Sequence, residues 1–409
     1  MSRVSRFDVV VAGRGAVGCA AALGLAQQGL STLHVGVSPT PSTASWDPRV
    51  FAISPASMAL LDRLRVAGQL NRSRLAPVYD MEIHGDDTRR PGRLGFSAYG
   101  ACVSELATIV ESRELQRVLQ LGCSMQAQLE SVDDGVSSIH FHDDHVEIVL
   151  DGSQARSVKA SVLVGADGAN SLVRTHVGIT GKHRDYAQCG VVAEFEAERP
   201  HGDIAYQWFL GSSILALLPL PAHEGASTPS HRMSMVWSTA QAHATQLCAM
   251  EPERVAAEVE RACGARLGAL RAASPALAFD LHYFIADTLV QPRLALVGDA
   301  AHVMHPLAGQ GMNAGLADVA TLLDTIADRE TFRDLGDMRL LRRYARARAA
   351  DLALLMRTTD GLQRLFAFDD PFVRAVRNVG LNLVNRLPVF KNGLIRQAIG
   401  RSHSPRKLT

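Results

Sequence analysis

Three glycine-centred clusters in this chain carry residue types that could hold a ligand. The first is Gly13-Arg14-Gly15-Ala16-Val17-Gly18, placed after the apolar run Phe7–Ala12 and before a small-residue segment that continues to Gln28. Glycines at that point allow a tight turn and let a pyrophosphate approach the backbone. The helix start behind them offers free N–H groups and about half a positive charge. In this context the pattern reads as a dinucleotide site. The second strand of such a unit ordinarily ends in Asp or Glu, which binds the adenosine ribose. Here Leu33-His34-Val35 runs into Gly36 instead. Two readings stay open: other groups hold the ribose, or adenosine binding is weakened and Arg14 adds charge complementary to the phosphates. If Gly36 only leaves the hydroxyls underbound, a glutamate in its place would strengthen binding by about 1–3 kcal/mol.

The second cluster is Val164-Gly165-Ala166-Asp167-Gly168-Ala169-Asn170-Ser171, with Arg174 close behind. Its charged groups could order a tight turn or contact a ligand. The third runs from Gly298-Asp299-Ala300-Ala301-His302 through His305-Pro306-Leu307-Ala308-Gly309-Gln310-Gly311-Met312-Asn313 to Asp318. A carboxylate at a strand end suits sugar hydroxyls, whereas a pyrophosphate would repel it. The Gly309–Gly311 stretch then opens a helix whose N–H groups could face the pyrimidine edge of a flavin and favour the negative charge gathered there on reduction. His302 and His305 read as structural rather than acid–base groups.

The elements that must position these clusters follow from the apolar pattern. Phe7–Ala12, Leu30–Val35, Val158–Val164 and Leu294–Val297 read as short buried strands, and Gly13–Gln28 as the helix between the first two. Helices are expected at Pro55–Leu64, at Gly311–Asp328, and after Ser112, which looks like an N-cap. Between about Tyr186 and Tyr283 the character changes. Ile204–Leu210, Ile214–Leu220 and Arg232–Ser238 read as strands of a sheet-rich insertion, with Trp208 and Phe209 in its core. Beyond Leu340 the chain reads as helix.

Bulk properties narrow the class. At 409 residues the chain exceeds what one core usually organises, and its net charge of +1 gives no sign of a nucleic-acid partner. That charge is uneven. From Pro371 to Thr409 there are eight basic residues and no acidic ones, leaving 34 basic against 41 acidic in the rest. The six cysteines have no metal-binding or disulfide spacing, and no apolar run reaches the ~18 residues of a membrane span. These features point to a cytosolic protein with reduced thiols and no metal centre.

Together, the Gly13–Gly18 turn, Asp167-Gly168 and Gly298-Asp299, in this order and spacing, resemble the aromatic hydroxylases that use one FAD and NAD(P)H. Within them, the run His305–Asp318 is similar to the signature of the ubiquinone-biosynthesis hydroxylases. Asp47-Pro48-Arg49 with Ala52-Ile53-Ser54 resembles the family's second cofactor-contacting segment, and Ala216–Leu220 a strand of its substrate domain. The resemblance covers nearly the whole chain. It implies an α/β, para-hydroxybenzoate-hydroxylase-like fold: a Rossmann-like FAD-binding domain (1–78, 100–185 and 288–335), an inserted antiparallel-sheet substrate domain (79–99 and 186–287) and a helical C-terminal region (336–409). It also implies cofactor contacts at Gly13, Gly15, Gly18, Arg49, Arg113, Asp167, Asp299, Gly309, Gly311 and Met312. Asp299 would hold the ribitol or ribose region, Gly311 and Met312 would approach the ring by backbone, and Asp167 would order the groove. No catalytic side chain is singled out.

The implied reaction is ring hydroxylation of a polyprenylated phenol with NAD(P)H and O2. Two alternatives have the same fold: a hydroxylase of a small soluble aromatic, and a FAD-poor scaffold within a biosynthetic complex. The basic tail suggests one more partner. Phe372, Val376, Val379 and Leu383 share one helical stripe, so this segment either packs on the body or rests on an anionic surface of the inner membrane, where each basic residue contributes up to ~1 kcal/mol.

Overall fold

The computed structural model describes residues 5–37, 47–87, 92–152, 156–222, 230–304, 310–367, 377–379, 381–382 and 385. The chain opens as expected with β1 (Ser5–Ala12), α1 (Ala16–Gln27) and β2 (Thr32–Val35). Val9, Val10 and Val11 are fully buried because β1 is central, paired in parallel with β2 on one side and with Arg156–Gly165 on the other. Both faces of such a strand are covered, which is why its sequence is continuously apolar rather than alternating. Leu294–Leu296 and Leu129–Val132 extend the parallel array at its two sides. The helix α1 has almost no polar face: every residue from Gly18 to Ala26 is buried. It is held between the sheet and the helices Ser112–Ser124 and Gln310–Ala327.

A second sheet of nine strands runs in the order His302–Val303, Leu277–Ala286, Gly181–Ala197, Arg232–Ala240, Ser213–Pro219, Ile204–Leu210, Asp80–His84 and Arg93–Ser97, with Leu270–Ala272 beside Gly181–Ala197. One face carries Leu215, Leu217, Met233, Met235 and Trp237, packed under the helices Gln241–Ala249 and Pro252–Ala262. Trp208 belongs to that core, stacked on Tyr206 at 5.7 Å, and Phe209 is buried on the opposite face with Ile214. Val50–Ile53, Ala107–Glu111 and Leu75–Val78 form a separate three-stranded sheet, with Ala107–Glu111 in its centre.

One expectation needs correction. Ser112 is the first residue of its helix, and the cap position is Glu111. The Glu111 carboxylate does not cap the helix; it accepts the Asp47 N–H at 2.7 Å and pairs with Arg74. The basic tail is described only in part. Arg374, Arg386 and Arg396 lie outside the described residues, but Arg377 is buried and ion-paired with Asp86. Beside it, Asn378, Asn382 and Asn385 accept the N–H groups of Gly92, Arg93 and Gly95 at 2.8, 2.9 and 3.1 Å. These asparagines at helical spacing satisfy backbone donors along the outermost strand of the second sheet, whose edge would otherwise be open to pairing. Arg377 is therefore committed to the body of the protein.

His34, in β2, is buried and donates from Nε2 to the carbonyl of Gly13 at 2.9 Å. Cys19 and Cys123 lie beside it, with ligand atoms of the three within 4.8 Å of one another, a convergence that the scattered sequence positions concealed. Burial lowers the His34 ring to about 4, against its hydrogen bond to Gly13, so it is neutral at pH 7. Because the folded value lies below the ordinary 6.5, the stability it confers is complete above pH 6.5 and is lost as pH falls toward 4. Urea unfolding at several pH values should show this loss, on the order of 3 kcal/mol, and His34→Gln should flatten it. An identical pH slope in the variant would contradict this role.

Candidate functional site

The three sequence clusters meet at the carboxyl ends of the parallel strands. Gly13 has φ +116°, and a Cβ there would stand 2.1 Å from the carbonyl oxygen of Ala166. A Cβ on Gly18 would stand 1.8 Å from the carbonyl of Gly13. These two glycines let α1 and the Asp167 turn approach each other. Gly15 is different. Nothing lies within 4 Å of the position its Cβ would take, and the same holds for Gly311 in the first turn of Gln310–Ala327. Backbone is therefore laid open at Gly15 and Gly311, and α1 has neither an acidic residue in its first turn nor a side chain capping its N–H groups. Such a helix end accommodates phosphate oxygens.

Asp299 follows Gly298 at the end of Leu294–Leu296, and its side chain is exposed. Enough protein surrounds the carboxyl that desolvation raises it above the usual aspartate range; His302 opposes this and Asp318 adds to it. An open carboxylate with a partly dehydrated surrounding is a strong acceptor for sugar hydroxyls. Asp318 itself is fully buried. It accepts Gly298 N–H at 2.9 Å and His302 Nε2–H at 2.6 Å on Oδ2, and Arg348 Nε–H at 2.6 Å on Oδ1. Burial alone would raise this carboxyl, but His302, Arg348 and the Gly298 N–H hold it below its ordinary value. Asp318 is thus a charged, fully partnered hub, and His302 is structural as expected.

Asp167 is engaged in its own turn. Its oxygens accept Ser171 Oγ–H at 2.5 Å and Val173 N–H at 3.0 Å, capping the short helix Leu172–His176. Arg174 extends from that helix, donating to the carbonyls of Ala300 and Ala169, both at 2.8 Å, with its guanidinium 4.2 Å from the Phe284 ring. It ties the second cluster to the third. Asn313 makes a similar link to the Arg49 segment, accepting Ser54 N–H at 2.9 Å and donating to Ala52 O at 2.8 Å. Arg49 is forked onto Asp47, and its carbonyl accepts Ser112 N–H, which sets Arg113 next to it in the chain fold. Gly13, Gly15, Gly18, Asp167, Asp299, Gly311, Met312, Arg49 and Arg113 are consequently carried by turns that are hydrogen-bonded or packed to one another. Gly309, with His305, lies outside the described residues. The braces Gln116 (donating to Arg14 O at 2.8 Å) and Arg348 went unread in the sequence, and so did the partners of Arg174 and Asn313, which lie 126 and 261 positions away.

Gly36 is more than a missing acid. Its φ is +146°, and a Cβ would lie 3.2 Å from both Arg14 Cγ and Arg14 N and 3.3 Å from Gly13 Cα. The place of the usual acidic side chain is filled by the stem of Arg14. A side chain at that φ is strained by about 1–3 kcal/mol. Gly36→Glu is accordingly expected to lower the melting temperature without tightening cofactor binding. Tighter FAD binding by that variant in a fluorescence titration would restore the view of Gly36 as a simple omission.

Comparison with known proteins gives the same direction. The model of a family described as "FAD binding domain" matches residues 6–359. Ubiquinone hydroxylase UbiL of Rhodospirillum rubrum is 34% identical over 405 residues, covering 96% of this chain and 89% of that protein. The 3-demethoxyubiquinol 3-hydroxylase of Escherichia coli is 33% identical over 398 residues, covering 96% and 98% respectively. Among solved structures, p-nitrophenol 4-monooxygenase PnpA from Pseudomonas putida matches with a TM-score of 0.75 over 98% of this chain and 100% of that one, at 18% identity. That likeness fixes the fold as para-hydroxybenzoate-hydroxylase-like.

Proposed function

The chain belongs to the FAD-dependent hydroxylases of ubiquinone biosynthesis, and from that premise we propose that it hydroxylates the aromatic ring of a polyprenylated phenol with NAD(P)H and O2. The observation that carries this reading is the pair formed by the open carboxylate of Asp299 at a strand end and the bare backbone of Gly311 in the first turn of Gln310–Ala327. FAD, when bound, supplies the oxygen chemistry; the chain positions it and excludes water. Gly13, Gly15 and Gly18 would receive the pyrophosphate, Asp299 the ribitol or ribose region, and Gly311 and Met312 the ring edge. Arg49 and Arg113 would add contacts from the opposite side, and Asp167 would keep the groove in shape.

The strands 79–99 and 186–287 would supply the substrate lobe, and the remainder up to 335 the FAD lobe. In the middle of the second sheet, Ala216, Leu218 and Val236 are half-buried on the face opposite Met233, Met235 and Trp237. An apolar wall of this kind suits a phenol with a hydrocarbon tail. No helix among the described residues is long and apolar enough to cross a membrane. Arg377 is committed to Asp86, while the other seven basic residues between 371 and 409 lie outside the described residues; their charge excess would suit an anionic lipid surface from which such a substrate would be drawn.

The purified protein is expected to bind FAD and to oxidise NAD(P)H faster when a polyprenylated phenol is added. Asp299→Ala should lose the flavin, and cells lacking the protein should accumulate a phenol one hydroxyl short. Salt-sensitive sedimentation with anionic but not neutral vesicles should accompany this. Unchanged flavin affinity in Asp299→Ala would contradict the site; equal binding to both vesicle types, or to neither, would contradict the membrane surface.

A further inference from the structure

The end of β2 lacks an acid, but the strand beside it does not. Leu129–Val132 pairs in parallel with β2, and the register sets Val35 opposite Val132. The residue that follows each strand is Gly36 after one and Asp133 after the other, both at the carboxyl edge where α1 begins. Asp133 turns toward that edge. Its Oδ1 lies 3.8 Å from Arg14 Nη1, the second residue of the glycine turn. The stem of Arg14, in turn, borders the space a Gly36 side chain would enter: a Cβ there would stand 3.2 Å from Arg14 Cγ. Arg14 is mostly enclosed (its side chain 18% exposed), whereas Asp133 is 64% exposed and presents its carboxylate outward. The neighbouring Asp134 is directed elsewhere, its carboxylate lying against Gly152.

From this arrangement we propose that Asp133, on the adjacent strand and oriented by Arg14, binds the cis-diol of the adenosine ribose in place of the acid missing from β2. The inference rests on the reading of the Gly13–Gly18 turn as the pyrophosphate site. The chemistry is that of the usual arrangement, a carboxylate accepting two hydroxyl hydrogens. Only the strand that supplies it differs. Three features of the sequence then belong together. Arg14 stands where a small residue is usual because its stem covers Gly36 and its cation faces Asp133. Gly36 is a glycine because that stem and a positive φ leave no room for a side chain. The cation also lies beside the carboxylate, which lessens the repulsion between Asp133 and the nearby phosphates.

The test uses the full chain and measures displacement of FAD by two probes, ADP and 2′,3′-dideoxy-ADP, which differ only in the diol. For the wild type, ADP should be the stronger competitor, on the order of ten-fold or more. In Asp133→Ala the two probes should become equal, while Asp134→Ala should retain the difference and Asp133→Glu should recover part of it. A diol preference that persists undiminished in Asp133→Ala would overturn the proposal, as would its loss in Asp134→Ala alone. If the wild type binds neither FAD nor ADP, the pyrophosphate assignment itself fails, and this inference with it. Circular dichroism of Asp133→Ala separates a lost contact from a lost fold: an exposed loop side chain should leave the spectrum unchanged.

Discussion

A single buried carboxylate sets the geometry on which the groove depends. Asp318 has no exposed surface, and an ionised group in such a place is costly unless each oxygen is hydrogen-bonded. Its three donors come from three different parts of the chain: the backbone of Gly298, the ring of His302 and the guanidinium of Arg348 on the helix Met338–Ala367. Binding all three at once fixes the path from the strand end through Asp299 to the start of the second sheet. Tyr344, four residues before Arg348 and so about one turn away on the same long helix, reinforces the arrangement by donating to Leu296 O at 2.8 Å. The C-terminal helix is therefore part of the site's foundation.

Close packing does the rest. Val17 sits where α1, the Gly298 turn and Gln310–Ala327 come together. A Cβ on Gly315 would fall 2.8 Å from its side chain, and one on Gly298 3.0 Å. Larger residues at either glycine would drive the two halves of the site apart, so these positions act on the groove through spacing rather than contact. Arg174 and Asn313 then cross-link the turns with hydrogen bonds that no local sequence pattern announces.

This division explains what could be read in advance. The strand–turn–helix at the N-terminus, the change of character near residue 186 and the helix after Gly311 were legible because each is written in local apolar periodicity and glycine placement. Asp299 was legible as a carboxylate at a strand end. Gly36 was visible as an anomaly, and the choice between its two readings stayed open because neither its positive φ nor the stem of Arg14 beside it can be inferred from spacing. Ser112 was placed one residue too early in function because Ser is a good cap by type, whereas the backbone had already assigned that position to Glu111. Asp133 was silent, as its relevance arises only from the register between two strands separated by about a hundred residues.

The dependence of the groove on Asp318 is tested most directly by a double-mutant cycle of Asp318→Asn and Arg348→Met, read by both thermal unfolding and FAD affinity. Either single variant strips the opposite buried group of its closest counter-charge, leaving Arg348 the more exposed Asp351 at 3.5 Å or Asp318 only His302, a loss of up to about 3–5 kcal/mol. The account requires that both singles unfold earlier and bind FAD more weakly, and that the double variant recover part of the stability because neither charge is then stranded. Full FAD affinity in Asp318→Asn, or strictly additive losses in the double variant, would show that the groove is organised by something other than this carboxylate.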